Sequence, residues 1–355
     1  MNNALKENWG NPSSLHSLGM DAENIVNKAR ECVAKSISAK PNEIIFTSCG
    51  TEANNMAIMS AISRKNRGNR IITTAIEHPS VLETVKRLEN QGFEVVYLKV
   101  QKNGVISLNE LDNALNSKTI LVSIMLVNNE VGSIQPIEQA VKLVRQKSPN
   151  AFFHCDAVQA YGKIPINVNR LGVDMLTASG HKVHAPKGIG FLYLNSKTHI
   201  SPLITGGGQE NGMRSGTESV PLIASLMGAV EDFPDLQKQL TITRSLYDYT
   251  KQLFSDCSVI TLNSADDGLP FVMNISVNGY RSETLLHFLE MKNIYVSSGS
   301  ACSKGNTSYV LKEMGVNPKS IDSALRLSFS KHTTKQDIDL FFKEILTATE
   351  KLRKA

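Results

Sequence analysis

Short apolar runs alternate with amphipathic segments along the first two thirds of the chain. Runs rich in β-branched and aromatic residues predict strands at 43–47, 70–74, 93–100, 119–127, 151–155 and 173–177. Apolar positions at helical spacing predict helices between most of these runs, at 21–38, 51–64, 79–90, 107–115 and 137–147. This alternation is typical of an α/β fold in which helices cover both faces of a mainly parallel sheet.

The pattern changes after the glycine cluster at 206–208. Helices are predicted at 220–231, from Pro234 to about 254, at 282–291 and at 334–352, and strands at 259–262, 271–277 and 324–329. This order indicates a second, smaller α/β unit, whose boundary with the first lies near 232–235.

The composition is that of an ordinary globular protein, with 41% hydrophobic and 20% charged residues among 355 and a net charge of +5. No apolar run approaches the roughly 18 residues of a membrane helix. No basic block with interleaved aromatic residues suggests direct binding to nucleic acid. The five cysteines are scattered and form no CxxC pair, which favours a reducing cytoplasm over a disulfide framework or a zinc site.

The stretch 177–193, TASGHKVHAPKGIGFLY, holds the first candidate for chemistry. Lys182 lies between the end of a predicted strand and a glycine-rich turn, where its amine can reach into a pocket and hold a carbonyl cofactor as a Schiff base. The alternative is a solvated surface lysine, which is the commoner fate of a lysine on a loop.

Other polar residues follow separate predicted strands, and together they match what pyridoxal phosphate needs. The hydroxyl-rich turn at 47–52 suits a phosphate at a helix N-terminus, or is a plain helix cap. Asp156 suits the pyridinium nitrogen, with Gln159 near the phenolic oxygen, or is a turn former. His78 suits the ring face, or is a surface residue. Asn129 is a further ring-side candidate, or part of a turn.

With these residues in place, the chain resembles cysteine desulfurases of the NifS/IscS kind, in the class V aminotransferase-like group of fold-type I pyridoxal-phosphate enzymes. The resemblance covers nearly the whole sequence, and no single motif would carry it. The motifs are GNPSSLHSLG at 10–19, FTSCGTEANN at 46–55, EHPSV at 77–81, VNNEVGSIQPI at 127–137, HCDAVQAYGK at 154–163, SGHKVHAPKGIGFLY at 179–193, GGGQENGMRSGTESV at 206–220 and SSGSACSKG at 297–305.

The resemblance implies a role for each candidate. Lys182 would bind the cofactor covalently, Asp156 would pair with the ring nitrogen, and His78 would stack on the ring. Gln159 and Asn129 would orient the ring. The residues that would bind the phosphate are Gly50, Thr51, Ser179 and His181. Thr217 would reach the phosphate of a partner subunit, which implies a homodimer, and Arg326 would bind the substrate carboxylate.

Cys302 lies among small residues and glycines, a setting unsuited to burying a structural cysteine, and a nearby lysine favours its thiolate. By the resemblance, this thiolate takes sulfur from L-cysteine, leaving L-alanine and an enzyme persulfide. The long loop is similar to that of the family's first group, which passes sulfur to an acceptor protein. An iron–sulfur scaffold and a tRNA-thiolation protein are equally open as the acceptor.

The resemblance also implies the domain organisation: a large cofactor-binding domain at 11–235, and a small domain at 1–10 and 236–355 that carries the Cys302 loop. Family chains have a longer segment ahead of the first motif, whereas nine residues precede Gly10 here, and Met1–Leu5 has helical spacing. We therefore expect a missing N-terminal strand. The alternatives are a truncated, weakly active or inactive paralogue that serves as a binding partner, and a selenocysteine lyase or aminotransferase of the same class.

Overall fold

The computed structural model of the protein describes residues 1–298 and 307–354. The chain divides into two units. Unit 1 contains Met1–Leu98, Leu108–Leu126 and Pro136–Leu236. Unit 2 contains Lys99–Ser107, Val127–Gln135 and the described part of Gln237–Ala355. No helix in the described ranges is long and apolar enough to cross a membrane.

Unit 1 is built on a seven-stranded mixed sheet with the order β1-β7-β6-β5-β4-β2-β3. Its strands are β1 Ile44–Thr47, β2 Arg70–Thr74, β3 Glu94–Leu98, β4 Thr119–Ser123, β5 Phe152–Asp156, β6 Met175–Ser179 and β7 Gly190–Leu194. Only β7 runs antiparallel to its neighbours, β1 and β6, while the other pairs are parallel. The predicted α/β fold with a mainly parallel sheet is confirmed.

The helices of unit 1 explain why the central strands are buried along their whole length. They are α1 Asn2–Glu7, α2 Ser17–Ser36, α3 Gly50–Met59, α4 Pro79–Glu89, α5 Leu108–Ala114, α6 Ile137–Lys147, α7 Val168–Leu171 and α8 Val220–Glu231. In α2, Ala22, Val26, Ala29 and Val33 are buried at helical spacing. Every residue of β4, β5 and β6 is buried, as expected for strands between two helical layers.

His154 on β5 links the three central strands through side-chain hydrogen bonds. Its Nδ1 lies 2.8 Å from Ser123 Oγ on β4, and its Nε2 lies 3.0 Å from Thr177 Oγ1 on β6. Burial lowers the pKa of His154 to about 3, so the ring is neutral at physiological pH. A neutral histidine with both nitrogens satisfied is structural, and it fixes the register of β5 two residues before that strand ends.

Unit 2 contains a four-stranded antiparallel sheet with the order β10-β11-β9-β8. Its elements are α9 Leu236–Ser255, β8 Ile260–Leu262, β9 Val272–Val277, α10 Ser282–Glu290, β10 Ser297–Ser298, α11 Tyr309–Glu313, α12 Pro318–Asp322, β11 Ala324–Ser328 and α13 Lys335–Lys351. Its core joins Met273, Ile275 and Val277 of β9 to apolar residues of α9, α10 and α13. Arg326 on β11 pairs with Ser297 on β10, and this register fixes the position of Arg326 along the sheet.

Several boundaries in the structure differ from the sequence-based expectations. Residues 1–10 belong to unit 1 rather than to the small domain, because α1 packs against α8 and buries Ala4. The helix expected at 51–64 ends at Met59 and continues as a 3₁₀ helix, Ser60–Arg67, where the Ser60 hydroxyl bonds back to the Ala57 carbonyl. The strand expected at 119–127 ends at Ser123, although the backbone of 124–126 still bonds to β5.

Candidate active site

The carboxyl ends of β2, β5 and β6 carry three of the predicted residues. Asp156 ends β5, His78 follows β2 and caps α4, and Lys182 ends the short 3₁₀ helix after β6. Parallel strands end at one edge of a sheet, where α/β folds bind their ligands. The charges of Asp156 and Lys182 both act on the His78 imidazole, so the structure brings the three side chains together.

Asp156 is a buried carboxyl group held by neutral donors. Its Oδ2 accepts a hydrogen bond from Asn54 Nδ2 at 2.8 Å, and its Oδ1 accepts one from the Val158 N–H at 2.9 Å. Burial raises the pKa of Asp156, and these two donors, with His78, oppose that rise. A carboxylate in such a setting gains most from a cationic or N–H partner supplied by a ligand.

His78 is held with a defined tautomer at the start of α4. Its Nδ1 accepts the Ser80 backbone N–H at 3.1 Å, and a backbone N–H can only donate. In the neutral ring the proton therefore lies on Nε2. Burial lowers the pKa of His78, against the opposing charge of Asp156, so the imidazole is uncharged at physiological pH. A flat neutral ring of this kind suits stacking on an aromatic ligand.

The segment after β6 presents hydrogen-bonding groups beside Lys182, which is half-buried. Ser179 Oγ lies 2.9 Å from His181 Nδ1. Burial lowers the pKa of His181, and the charges of Lys182 and Lys187 add to that effect. Ser179 and His181 therefore form a neutral polar pair next to a lysine.

The N-terminus of α3 approaches this pair closely. A Cβ on Gly50 would lie 2.8 Å from Val158 Cγ2 and 3.3 Å from Ser179 Cβ, so only glycine permits this approach. The N-cap residue Cys49 makes no side-chain cap, and the first N–H groups of the helix are left to other acceptors. Together with Ser179, this turn is a cradle for an anion such as a phosphate.

Gln159 follows Asp156 closely in the sequence, and its side chain is buried. Its Oε1 accepts a hydrogen bond from Lys163 Nζ at 2.8 Å. With the carbonyl oxygen engaged in this way, the NH₂ group of the amide remains as a donor. Such a donor matches a phenolic oxygen, which accepts hydrogen bonds.

Thr217 is exposed on a loop of unit 1 that two ion pairs anchor. Glu210 binds Arg30 through both carboxylate oxygens, at 2.7 and 2.9 Å, and also accepts the Phe46 N–H at 3.0 Å. Arg214 donates from Nε to Glu52 Oε1 at 2.8 Å, in the first turn of α3. The two ion pairs therefore anchor the loop, while the Thr217 side chain stays exposed to solvent.

Unit 2 positions the predicted Asn129 and Arg326 against each other. Arg326 Nη1 donates to the Asn129 carbonyl at 3.1 Å, and Nη2 donates to Ser297 Oγ at 3.2 Å. Asn129 Oδ1 is buried and has no hydrogen-bond partner within residues 1–298 and 307–354. Cys302 lies outside the described residues.

The sequence analysis missed several buried polar residues around these sites. Asn54 and Ser80 link Asp156 to His78. Glu77 accepts hydrogen bonds from Thr74 Oγ1 and the Met125 N–H, and burial raises its pKa to about 8. In unit 2, buried Glu130 accepts a hydrogen bond from Ser308, the N-cap of α11. Of these residues, Ser80 alone carried a signal in the sequence, because it lies two residues after the candidate His78.

Comparison with known proteins places the chain among relatives along nearly its whole length. It matches the family described as aminotransferase class-V over residues 1–341. The cysteine desulfurase IscS of Rickettsia massiliae is 42% identical in an alignment of 354 residues, which covers 97% of this chain and 85% of that protein. The IscS of Dictyoglomus turgidum is 41% identical, covering 98% of this chain and 90% of that protein.

Among solved structures, a NifS-like protein matches with a TM-score of 0.93 and 38% sequence identity, covering 99% of this chain and 94% of that chain. The mixed seven-stranded sheet of unit 1 is therefore that of fold-type I pyridoxal-phosphate transferases. The chain belongs to the aminotransferase class-V family and, within it, to the pyridoxal-phosphate-dependent cysteine desulfurases of the IscS and NifS kind.

Proposed function

We propose that the protein converts L-cysteine to L-alanine and transfers the sulfur atom to the thiol of Cys302 as a persulfide. Family membership supports the activity. The observation that carries the proposal is the grouping of Asp156, His78 and Lys182 at one edge of the unit 1 sheet, with an anion cradle at the start of α3.

The residues present fit pyridoxal phosphate. Gly50, Thr51, Ser179 and His181 would hold its phosphate, because the glycine cradle brings uncapped N–H groups beside polar side chains. Asp156 would accept the ring N–H, and the Gln159 amide would donate to the phenolic oxygen. When bound, the cofactor supplies an electron sink for the electrons released at the substrate's α-carbon.

Lys182 would hold the cofactor covalently and then move the α-proton of the substrate with its amine. The neutral His78 ring would cover one face of the cofactor, with its proton on Nε2. Arg326 would bind the substrate carboxylate with its planar guanidinium, and the unpaired Oδ1 of Asn129 would accept from a polar group of the ligand.

In the sulfur transfer the Cys302 thiolate would attack the substrate sulfur. The S–S bond forms as the C–S bond breaks, and the carbon that loses sulfur takes up a proton to become the methyl group of alanine. Overall, one thiol and one cysteine give one persulfide and one alanine, so no external oxidant is needed.

The working unit that we propose is a homodimer, in which Thr217 reaches the cofactor phosphate of the partner subunit. The outward position of Thr217 on its anchored loop supports this role. The segment 9–20 adds support, since Trp9, Leu15 and Met20 are 69%, 98% and 55% exposed. We propose that the enzyme is cytoplasmic, in keeping with the free thiols at 32, 49, 155 and 257. The protein that accepts its sulfur would be an iron–sulfur scaffold or a tRNA-thiolation protein.

Two measurements test the proposal. Purified protein with bound cofactor should release alanine and, with a reducing thiol, sulfide from L-cysteine. Borohydride reduction followed by peptide mapping should place the cofactor mass on Lys182. Cofactor found on Lys163 or Lys187 would overturn the site. Mercaptopyruvate formed by amino-group transfer, or pyruvate and ammonia formed by β-elimination, in place of alanine would overturn the reaction.

A further inference from the structure

A continuous set of hydrogen bonds joins Asp156 to His78 through two residues that the proposed reaction leaves without a role. Asn54 Nδ2 donates one hydrogen to Asp156 Oδ2 at 2.8 Å and the other to Ser80 Oγ at 2.9 Å. Ser80 Oγ lies 2.8 Å from His78 Nδ1. The connection therefore runs from carboxylate to imidazole without a break.

The direction of each bond follows from the chemistry of the groups. Asp156 as a carboxylate can only accept, so the Asn54 amide must present its NH₂ group and not its carbonyl oxygen. Ser80 Oγ accepts from Asn54 and therefore donates its own hydrogen to His78 Nδ1, which also accepts the Ser80 N–H. Both donors keep the His78 proton on Nε2.

The linking residues are shielded from water, and Asn54 is only 1% exposed. Its Oδ1 is buried and has no hydrogen-bond partner in the part of the chain that the structure describes. A side chain selected only for stability would be expected to satisfy its carbonyl oxygen. The amide is thus oriented by its two acceptors, Asp156 and Ser80.

We propose that Asn54 is a positioning residue, which acts through Ser80 to set the Asp156 carboxylate and the His78 imidazole as one unit around the cofactor ring. This inference rests on the proposed roles of Asp156 and His78. The Asn54 amide also helps to keep Asp156 ionised, since it is one of the donors that lower the pKa of that carboxyl group. Glu77, Cys155, His181 and Lys182 are further titratable groups that interact with this pair.

The test compares Asn54→Leu with Asn55→Leu in the holoenzyme. Leucine has nearly the size of asparagine but no donor. Asn55 lies on the same helix, and within the described residues its side chain donates to the backbone carbonyls of Thr51 and Ser80 and to no side chain. Loss of a hydrogen bond to a charged group predicts that Asn54→Leu lowers kcat about 10-fold or more, with KM changed less than about 2-fold. Asn55→Leu should retain the parent's values.

A second readout follows the linkage itself and does not depend on turnover. With histidine-selective ¹⁵N labelling, the Nδ1 resonance of His78 should shift in Asn54→Leu and in Ser80→Ala, and should return towards the parent's position in Ser80→Thr, which keeps a hydroxyl. Asn55→Leu should leave it in place. If Asn54→Leu does not fold, Ser80→Ala carries the test, because it removes one hydroxyl and leaves the backbone cap intact.

Parent-like kcat and an unshifted His78 resonance in Asn54→Leu, or in Ser80→Ala where the first variant does not fold, would overturn the inference. Failure of the proposed function would look different. It would show in the parent protein, as an absence of alanine from L-cysteine, whatever the resonance of His78 does in the variants.

Discussion

In the proposed reaction, stabilisation of the electrons released at the substrate depends on Asp156. An ionised carboxylate beside the ring nitrogen favours the protonated ring, and only that form withdraws electrons well. Asp156→Asn keeps the shape and loses the charge, so we expect kcat to fall by about 100-fold or more, equivalent to roughly 3 kcal/mol. Asp112→Asn, at a half-buried surface position of α5, is the control, and it should turn over L-cysteine at the parent's rate. Near-parent turnover in Asp156→Asn would remove Asp156 from this role.

Glu77 makes a prediction about stability and pH. Burial raises its pKa from 4.5 to about 8, so the folded protein holds a proton that the unfolded chain releases above its own lower pKa. Its contribution to stability is therefore complete below about pH 4.5 and is lost as the pH rises towards about 8.

Glu77→Gln keeps a carbonyl acceptor for Thr74 and Met125 but cannot ionise. In urea unfolding between pH 5.5 and 8, we expect the parent to lose stability relative to this variant by up to about 1.4 kcal/mol per pH unit. Unfolding curves that change in parallel with pH would show that Glu77 is ionised in the folded protein.

The site residues divide into those that sequence can reveal and those that need the folded structure. Asp156 and Lys182 stand at the ends of strands whose apolar runs are plain in the sequence, and sheet geometry then brings them to one edge. Asn54 and Ser80 lie inside the first turns of α3 and α4, where polar residues are ordinary. Their contact exists only because these two helices pack together, which periodicity within either helix does not reveal.

At the scale of elements, the ion pair of half-buried Arg30 and buried Glu210 links the Thr217 loop to α2 and β1. Glu210→Ala would leave the guanidinium without an anionic partner and the Phe46 N–H without its acceptor. We expect the free energy of unfolding to fall by about 3–5 kcal/mol in urea denaturation. Glu138→Ala, which breaks ion pairs on the exposed surface of α6, should be nearly neutral. Equal losses in both variants would contradict the structural role of Glu210.

Element length decided how well the sequence predicted each helix and strand. The helix predicted at 220–231 coincides with α8, since twelve residues contain several turns of the apolar pattern. The elements β10, α11 and α12 have between two and five residues and carry no full period, so they were not predicted. The α3 boundary was missed for a local reason, the bond from the Ser60 hydroxyl to the backbone.

At the scale of the whole molecule, the exposed apolar segment 9–20 predicts a dimer in solution. Leu15→Glu combined with Met20→Glu should convert the dimer to a monomer in sedimentation velocity, because two charges would have to be buried in the interface. The variant should also bind cofactor more weakly, since Thr217 would lose its target. Met291→Glu, at another exposed apolar site, is the control. A double variant that stays dimeric would place the interface elsewhere.

The most direct test of the central claim is to find the sulfur after one turnover. Holoenzyme is incubated briefly with L-cysteine, its thiols are trapped, and its peptides are mapped by mass spectrometry while alanine is counted. We predict one added sulfur atom on Cys302, alanine in equal amount, and no added sulfur on the cysteines at 32, 49, 155 and 257. Cys302→Ser should bind cofactor and cysteine but form no persulfide. Sulfur on any other cysteine with Cys302 unmodified, or alanine formed in Cys302→Ser at the parent's rate, would contradict the claim.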